Sequence, residues 1–250
     1  MKFEVLSDIG KKRQLNEDRA AVLTLPNGLH LAVLLDGMGG HQGGDVASST
    51  ALRLMAEEFE KLSEASFQSE EEWMEWLKEV VLYVNRTLYN IAKEESALQG
   101  MGTTMEAILV KDDVCYGVHI GDSRVYYIND EDITQLTTDH SFVNVLVDRG
   151  EITEQEAEVH PQRNWILKAL GSERFVEPDC YQVTIKPTST LLMCSDGLSN
   201  KVQKESLHKI VISKASLKEK AEKLVEKANE MGGEDNISVI LLSPLEKGGA

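Results

Sequence analysis

The amino-acid sequence predicts one α+β domain in which helices flank antiparallel sheets. Short segments with alternating or β-branched apolar residues occur near both ends of the chain and in its middle. The predicted long helices follow one another in pairs and do not alternate with single strands, which disfavours a regular parallel sheet. No repeat or linker divides the 250 residues, and one domain can have this length.

The first hundred residues are predicted to contain three strands and two helices. The strands lie at 3–7, 20–24 and 30–35. Asp45 is predicted to cap the N-terminus of a first helix that reaches at least Met55. A second helix, at about 71–92, has apolar residues three or four positions apart, so we expect this face to pack in the core.

Short strands dominate the rest of the chain. They are predicted at 105–110, 114–120, 124–128, 180–185, 190–194 and 237–242, with helices at about 204–212 and 217–230. Between the third and fourth of these strands, residues 141–170 form a polar segment with helical character. Gly150 and Pro161 are expected to interrupt it.

Composition excludes several classes of function. The net charge of −16 argues against nucleic acid and anionic membranes, since both need a basic surface. The longest aliphatic run, Leu31–Leu35, is far shorter than the ~20 residues of a membrane-spanning helix. The first residues show no secretory pattern, and the three cysteines form no CxxC pair. We therefore expect a cytoplasmic protein with reduced thiols and no structural zinc.

Aspartates lie beside glycines at the predicted strand ends. They are Asp36 before Gly37, Asp122 after Gly121 and Asp196 before Gly197, and Asp235 stands just before the last strand. A single Asp-Gly pair is usually only a turn. Four aspartates at strand ends, where distant segments converge, instead indicate a carboxylate cluster. Oxygen ligands of this kind favour Mg²⁺ or Mn²⁺ over zinc.

Arg13 stands five residues before Asp18. A guanidinium beside cations is favourable when an anion such as phosphate lies between them, although a surface ion pair is the alternative interpretation. The glycine-rich stretch 36–44 lacks a Walker A signature and GxGxxG, and the chain contains neither HExxH nor GxSxG. These absences disfavour a nucleotide cradle, a zinc protease and a serine esterase.

Seven motifs follow one another from Ser7 to Ser238, nearly the whole chain. They comprise residues 8–18 (with Arg13, Asn16, Glu17 and Asp18), Asp36-Gly-Met-Gly-Gly-His41, Gly102-Thr-Thr104, Gly121-Asp-Ser-Arg124, Asp139-His-Ser141, Ser195-Asp-Gly197 and Asp235-Asn-Ile-Ser238. In content and order this series resembles the bacterial metal-dependent type 2C (PPM) Ser/Thr protein phosphatases. The resemblance implies two antiparallel sheets stacked as a β-sandwich, helices on both outer faces, and a flap at about 139–171 within a single domain, 1–250.

The resemblance also implies roles for individual residues. Asp36 would bridge two Mn²⁺ or Mg²⁺ ions. The Gly37 carbonyl and a water-mediated Glu17 or Asp18 would complete one site, and Asp196 and Asp235 the other. Asp122, with Asp196, corresponds to the position of a third, weaker metal, and Arg13 to the phosphate-binding arginine. A hydroxide between the metals would attack phosphorus directly, without a covalent enzyme intermediate.

The proton donor to the leaving group stays open at this point. Met38 stands where eukaryotic relatives commonly have a histidine. His41 or a metal-bound water near Asp122 is the candidate acid, and His41 could instead only anchor its loop.

The resemblance implies that the partners are phosphorylated proteins, namely the substrates of a bacterial Ser/Thr kinase and the kinase itself. We expect the enzyme to be a monomer. A phosphoprotein-binding module without turnover and a divalent-cation sensor are the alternatives. The intact aspartates disfavour the former, and the absence of an EF-hand loop disfavours the latter.

Overall fold

A computed structural model describes residues 1–40, 42–62, 67 and 69–245. The strands are β1 (Lys2–Asp8), β2 (Arg19–Thr24), β3 (His30–Leu35), β4 (Gly37–Met38), β5 (Gly102–Thr103), β6 (Met105–Lys111), β7 (Val114–Ile120), β8 (Arg124–Ile128), β9 (Ile133–Gln135), β10 (Asp179–Thr184), β11 (Thr190–Cys194) and β12 (Ile237–Ser243). The helices are α1 (Gly43–Phe59), α2 (Glu70–Glu94), α3 (Phe142–Asp148), α4 (Glu154–Glu158), α5 (Asp196–Ser199), α6 (Lys204–Val211) and α7 (Leu217–Glu230), with one 3₁₀ turn at Ser96–Leu98.

Two five-stranded antiparallel sheets form the centre of the protein. The first has the order β1-β12-β11-β8-β9, and the second has the order β10-β7-β6-β3-β2. The strands β4 and β5 form a separate two-stranded ladder beside the second sheet. The predicted antiparallel arrangement is therefore confirmed.

The inner faces of the two sheets share one apolar cluster. It is fully buried and includes Ala32, Leu34, Ile108 and Val110 from the second sheet and Val125, Leu191, Met193, Ile240 and Leu242 from the first. Alternate residues along the strands point the other way. On the second sheet these residues pack beneath α1 and α2, and on the first they pack beneath α5, α6 and α7. This arrangement is the predicted β-sandwich with helices on both outer faces.

Local sequence signals account for the helix starts. Ser69 and Ser216 are N-caps, and each forms a capping box, with Glu72 and Glu219 respectively. The prediction that Asp45 caps α1 is wrong. The N-cap is Gln42, three residues earlier, and the Asp45 carboxylate pairs with Arg19. An acidic residue in the first turn is favourable because it faces the positive end of the helix dipole.

The segment 141–170 is less helical than its composition predicts. Only α3 and α4 are helical, with Ser141 and Thr153 as their N-caps. Gly150, at φ +70°, separates the two helices. No helix within the described ranges is both long enough and apolar enough to cross a membrane.

Candidate active site

Five aspartates converge where the strand ends of the two sheets meet. Asp18 precedes β2, Asp36 follows β3, Asp122 follows β7, Asp196 begins α5 directly after β11, and Asp235 precedes β12. Burial raises the pKa of Asp36 well above its usual value, and the charges of the other four aspartates raise it further. The aspartates that the sequence singles out are therefore electrostatic neighbours in the folded chain.

The backbone of Asp36 is held by hydrogen bonds with Thr103 and Thr104. Its backbone amide donates to Thr104 Oγ1 at 2.9 Å, and its carbonyl accepts from the Thr104 amide at 2.9 Å and from Thr103 Oγ1 at 3.0 Å. The next residue must be glycine, because a Cβ on Gly37 would lie 2.2 Å from the Gly44 carbonyl oxygen. A glycine beside the aspartate is expected to allow close backbone approach, and the packing of Gly37 against Gly44 agrees with this expectation.

Four acidic oxygens around the cluster are buried without a hydrogen-bond partner in the part of the chain that the structure describes. They are Glu17 Oε1, Asp18 Oδ1, Asp122 Oδ1 and Asp196 Oδ1. Buried polar atoms almost always have a partner, and an unpaired carboxylate oxygen is strongly unfavourable. A hard divalent cation is the partner that several neighbouring carboxylate oxygens suit best. The residues present thus fit the metals that the sequence predicts.

The carboxylates lie near one another without forming a closed ligand shell. Among the described residues, no group of three or more acidic, histidine or cysteine side chains is already arranged to hold one ion. The aspartates nevertheless lie close enough to perturb the pKa of Asp36, so the site is a set of neighbouring carboxylates.

Burial makes this cluster retain protons. It raises the pKa of Asp18 to about 7 and that of Asp196 to about 6, and neighbouring aspartates add to both effects. Burial also raises the pKa of Asp122 well above its usual value, with Asp196 and Asp139 contributing. A hydrogen bond with Asp36 lowers the pKa of Asp196. Because metal ligands must be deprotonated, cation binding here would release protons.

Arg13 lies beside the cluster, on a loop fastened by one asparagine. Its Nη2 donates to Asp235 Oδ2 at 2.8 Å, and about half of its side chain is exposed. The Asn236 side chain donates to the carbonyls of Ile9 and Leu15 at 3.0 Å each and accepts from the Glu17 amide at 2.8 Å. Arg13 therefore reaches the site from an anchored loop, with its guanidinium open to a ligand.

Sequence reasoning missed the side chain that orients Asp18. Ser195 Oγ donates to Asp18 Oδ2 at 2.8 Å and accepts from the Ser238 amide at 2.9 Å, which links α5 to β12. Ser238 Oγ in turn lies 2.8 Å from Ser7 Oγ. Ser195 and Ser238 occur in the motifs and Ser7 directly precedes the first one, but their contacts join residues far apart in the chain. The predicted acid, His41, lies outside the described residues, so its role stays a prediction.

Comparisons with known proteins agree with this geometry. A profile of the family described as Protein phosphatase 2C matches residues 10–232. The serine/threonine phosphatase stp of Listeria welshimeri is 40% identical over 242 residues, which cover 97% of this chain and 95% of that protein. The crystal structure of the serine/threonine phosphatase Stp1 from Staphylococcus aureus superposes with a TM-score of 0.93 at 34% identity, covering 98% of this chain and 95% of that one. The catalytic domain of the phosphatase PstP in complex with two manganese ions gives a TM-score of 0.82 at 34% identity, with 96% of each chain covered.

Proposed function

We propose a mechanism for this chain, which belongs to the bacterial protein phosphatase 2C family and is a serine/threonine protein phosphatase. The mechanism depends on divalent cations held by the acidic cluster. The observation that carries it is a set of four buried acidic oxygens, on Glu17, Asp18, Asp122 and Asp196, that have no hydrogen-bond partner among the residues the structure describes.

The ligands are assigned as the family resemblance implies. Asp36, whose pKa responds to all the other aspartates of the cluster, would be shared by two Mn²⁺ or Mg²⁺ ions. The Gly37 carbonyl and Glu17 or Asp18, acting through water, would complete one site. Asp196 and Asp235 would complete the other, and Asp122 with Asp196 would hold a third ion more weakly. When bound, such ions supply Lewis acidity and an activated water for direct attack on phosphorus.

Arg13 is the proposed phosphate-binding residue. Its half-exposed guanidinium can exchange the ion pair with Asp235 for two parallel hydrogen bonds to a phosphate group. This position orients the phosphorus toward the acidic cluster and offsets negative charge on the phosphate oxygens in the transition state. His41 or a water beside Asp122 is the proposed donor of the proton to the serine or threonine oxygen.

The domain organisation, substrates and location of the enzyme are also part of the proposed function. Residues 1–250 would act as one phosphatase domain, with about 139–171 forming a flap beside the site. The substrates would be phosphorylated proteins of a bacterial Ser/Thr kinase pathway, including the kinase, encountered by a monomer in the cytoplasm.

Paired asparagine variants test the metal assignment. Asp36→Asn should abolish most phosphopeptide turnover and weaken Mn²⁺ binding at both tight sites, because this side chain is shared by them. Asp130→Asn, at an exposed turn between β8 and β9, makes the same change of charge and should alter neither. Wild-type Mn²⁺ binding by Asp36→Asn would reject the two-metal assignment.

A further inference from the structure

Glu106 and His119 form a fully buried acid–base pair outside the acidic cluster. They face each other across β6 and β7 in direct register, and both side chains are completely inaccessible to solvent. Alternation along β6 points Glu106 to the same side as Ile108 and Val110, which line the layer between the two sheets. His119 Nδ1 contacts Glu106 Oε1. The layer is otherwise lined mainly by apolar residues, so burying this pair has a desolvation cost that an apolar pair would avoid.

The second ring nitrogen of His119 holds a loop of the active site. His119 Nε2 lies 2.9 Å from the carbonyl oxygen of Thr138. A carbonyl oxygen can only accept, so Nε2 must carry the hydrogen. Glu106 then shares the remaining proton with Nδ1, whether the pair is charged or neutral. The carboxyl group thus fixes both the tautomer and the rotation of the ring.

The loop held by His119 also contacts the segment that contains Asp122. Asp139, the residue after Thr138, accepts from Arg124 Nε at 2.9 and 3.0 Å and from Arg124 Nη2 at 2.6 Å. Arg124 is the second residue after Asp122, so this ion pair ties the loop to the segment that contains Asp122.

His140 fastens the same loop to the residue before Asp122. Its amide donates to the Gly121 carbonyl at 2.7 Å, and its Nδ1 accepts from the Gly121 amide at 3.1 Å. The His140 ring lies 4.6 Å from the His119 ring. A displacement of His119 would therefore reach the Gly121–Asp122 segment through Thr138 and His140.

We infer that the Glu106–His119 pair is a positioning device that fixes the 138–140 loop and, through it, the orientation of Asp122 toward a weakly bound Mn²⁺. This inference rests on the proposed function. Neither residue touches the substrate or the tight metal sites in this scheme. Loss of the Glu106–His119 pair should raise the concentration of Mn²⁺ needed for activity. It should not change the affinity for the phosphate group that Arg13 binds.

Two variants separate positioning from mere stability. Glu106→Leu/His119→Phe replaces the buried pair by apolar side chains of similar size, a change that folded proteins often tolerate, but it removes the bond to Thr138. Glu106→Gln keeps a donor for Nδ1 and so preserves the ring tautomer that bonds Thr138. His208→Gln is the matched control, because His208 Nε2 bonds the Asn129 carbonyl at 2.9 Å, at the end of β8 away from the site.

The measurements are Mn²⁺-dependent phosphopeptide turnover, Mn²⁺ binding by electron paramagnetic resonance, and amide hydrogen exchange of residues 137–140 in metal-free protein. The double variant should still bind two tight Mn²⁺ and keep its KM. It should also need about tenfold more Mn²⁺ for half-maximal activity, a typical effect of removing a residue that supports a metal ligand. Its 137–140 amides should exchange faster, whereas Glu106→Gln and His208→Gln should match the wild type in all three measurements.

Unchanged exchange or an unchanged Mn²⁺ requirement in the double variant would overturn the inference. So would a Glu106→Gln variant that behaves like the double variant. Absence of Mn²⁺ activation in the wild-type protein would refute the proposed function itself, and the exchange measurement distinguishes that failure because it needs no metal.

Discussion

Replacing Asp18 with asparagine is predicted to stabilise the metal-free protein, and to do so more strongly as the pH rises. Asp18 is almost fully buried, at 2% exposure, and it accepts a hydrogen bond from Ser195 that an asparagine oxygen can also accept. Burial raises its pKa from an ordinary 3.8 to about 7, assisted by the charges of Asp196 and Asp235. The native state therefore favours the protonated side chain, whereas the unfolded chain ionises freely.

The sign and size of the effect follow from this difference. For an acid whose pKa is higher in the folded state, stability is greatest below pH 3.8 and is lost as the pH rises through about 7. Each pH unit in that interval costs the native state about 1.4 kcal/mol. Ionisable Asp18 thus costs about 4 kcal/mol at pH 8 and less than about 2 kcal/mol at pH 5. Asparagine does not ionise, so Asp18→Asn removes this free-energy cost at both pH values. At pH 8 the substitution should raise the melting temperature by about 10 °C.

The assay is thermal unfolding of metal-stripped protein at pH 5 and pH 8, followed by circular dichroism. Asp130→Asn is the control, since it changes charge equally at an exposed turn and should shift neither melting temperature by much. Saturating Mn²⁺ should raise the melting temperature of wild type more than that of Asp18→Asn, because the cation relieves the same repulsion. A gain of equal size at both pH values, or a loss at pH 8, would refute the electrostatic reasoning.

Three further substitutions test individual roles at the site. Arg13→Ala should raise KM for phosphopeptides about tenfold to a hundredfold with less effect on kcat, because it removes a charge-assisted contact with the phosphate group. The control Arg53→Ala breaks a surface ion pair with Glu57 and should leave KM unchanged. Unchanged kinetics in Arg13→Ala would mean that Arg13 is only an ion-pair partner. Asp122→Ala should keep two tight Mn²⁺ ions but slow turnover and raise the Mn²⁺ requirement, whereas identity with wild type at every Mn²⁺ concentration would exclude a working third site. His41→Ala should reduce phosphopeptide turnover far more than nitrophenyl phosphate turnover if His41 is the acid, and equal losses would indicate an anchoring role.

Much of the fold follows from periodicity alone. The bounds of β3, β7, β8, β11 and α7 match their predictions, because each is an apolar or amphipathic segment bounded by polar or turn residues. The ladder of β4 with β5 and the one-turn helix α5 were missed. Elements of two to four residues carry no period, and long-range contacts decide their conformation.

Asp36, Asp122 and Asp196 could be predicted from the sequence because they stand at strand ends beside glycines, and Asp235 because it precedes the last strand. Asp18 was assigned only through the family resemblance. The residues that support these aspartates could not be predicted, since Ser195 contacts Asp18 across 177 positions. Glu106 and His119 carried a fainter signal: each is a polar residue at an inward position of an otherwise apolar strand. Pairing them requires the register of β6 with β7, which the hairpin between Lys111 and Val114 defines.

Cations held in the acidic cluster are proposed to enable this chain to remove phosphate from serine and threonine side chains. The most direct test is phosphate release from a phosphothreonine peptide by exhaustively chelated protein, before and after addition of Mn²⁺. We predict no release beyond background without metal, and full turnover once Mn²⁺ is restored. Full turnover in the chelated protein, or none after Mn²⁺ is added to correctly folded protein, would contradict the account.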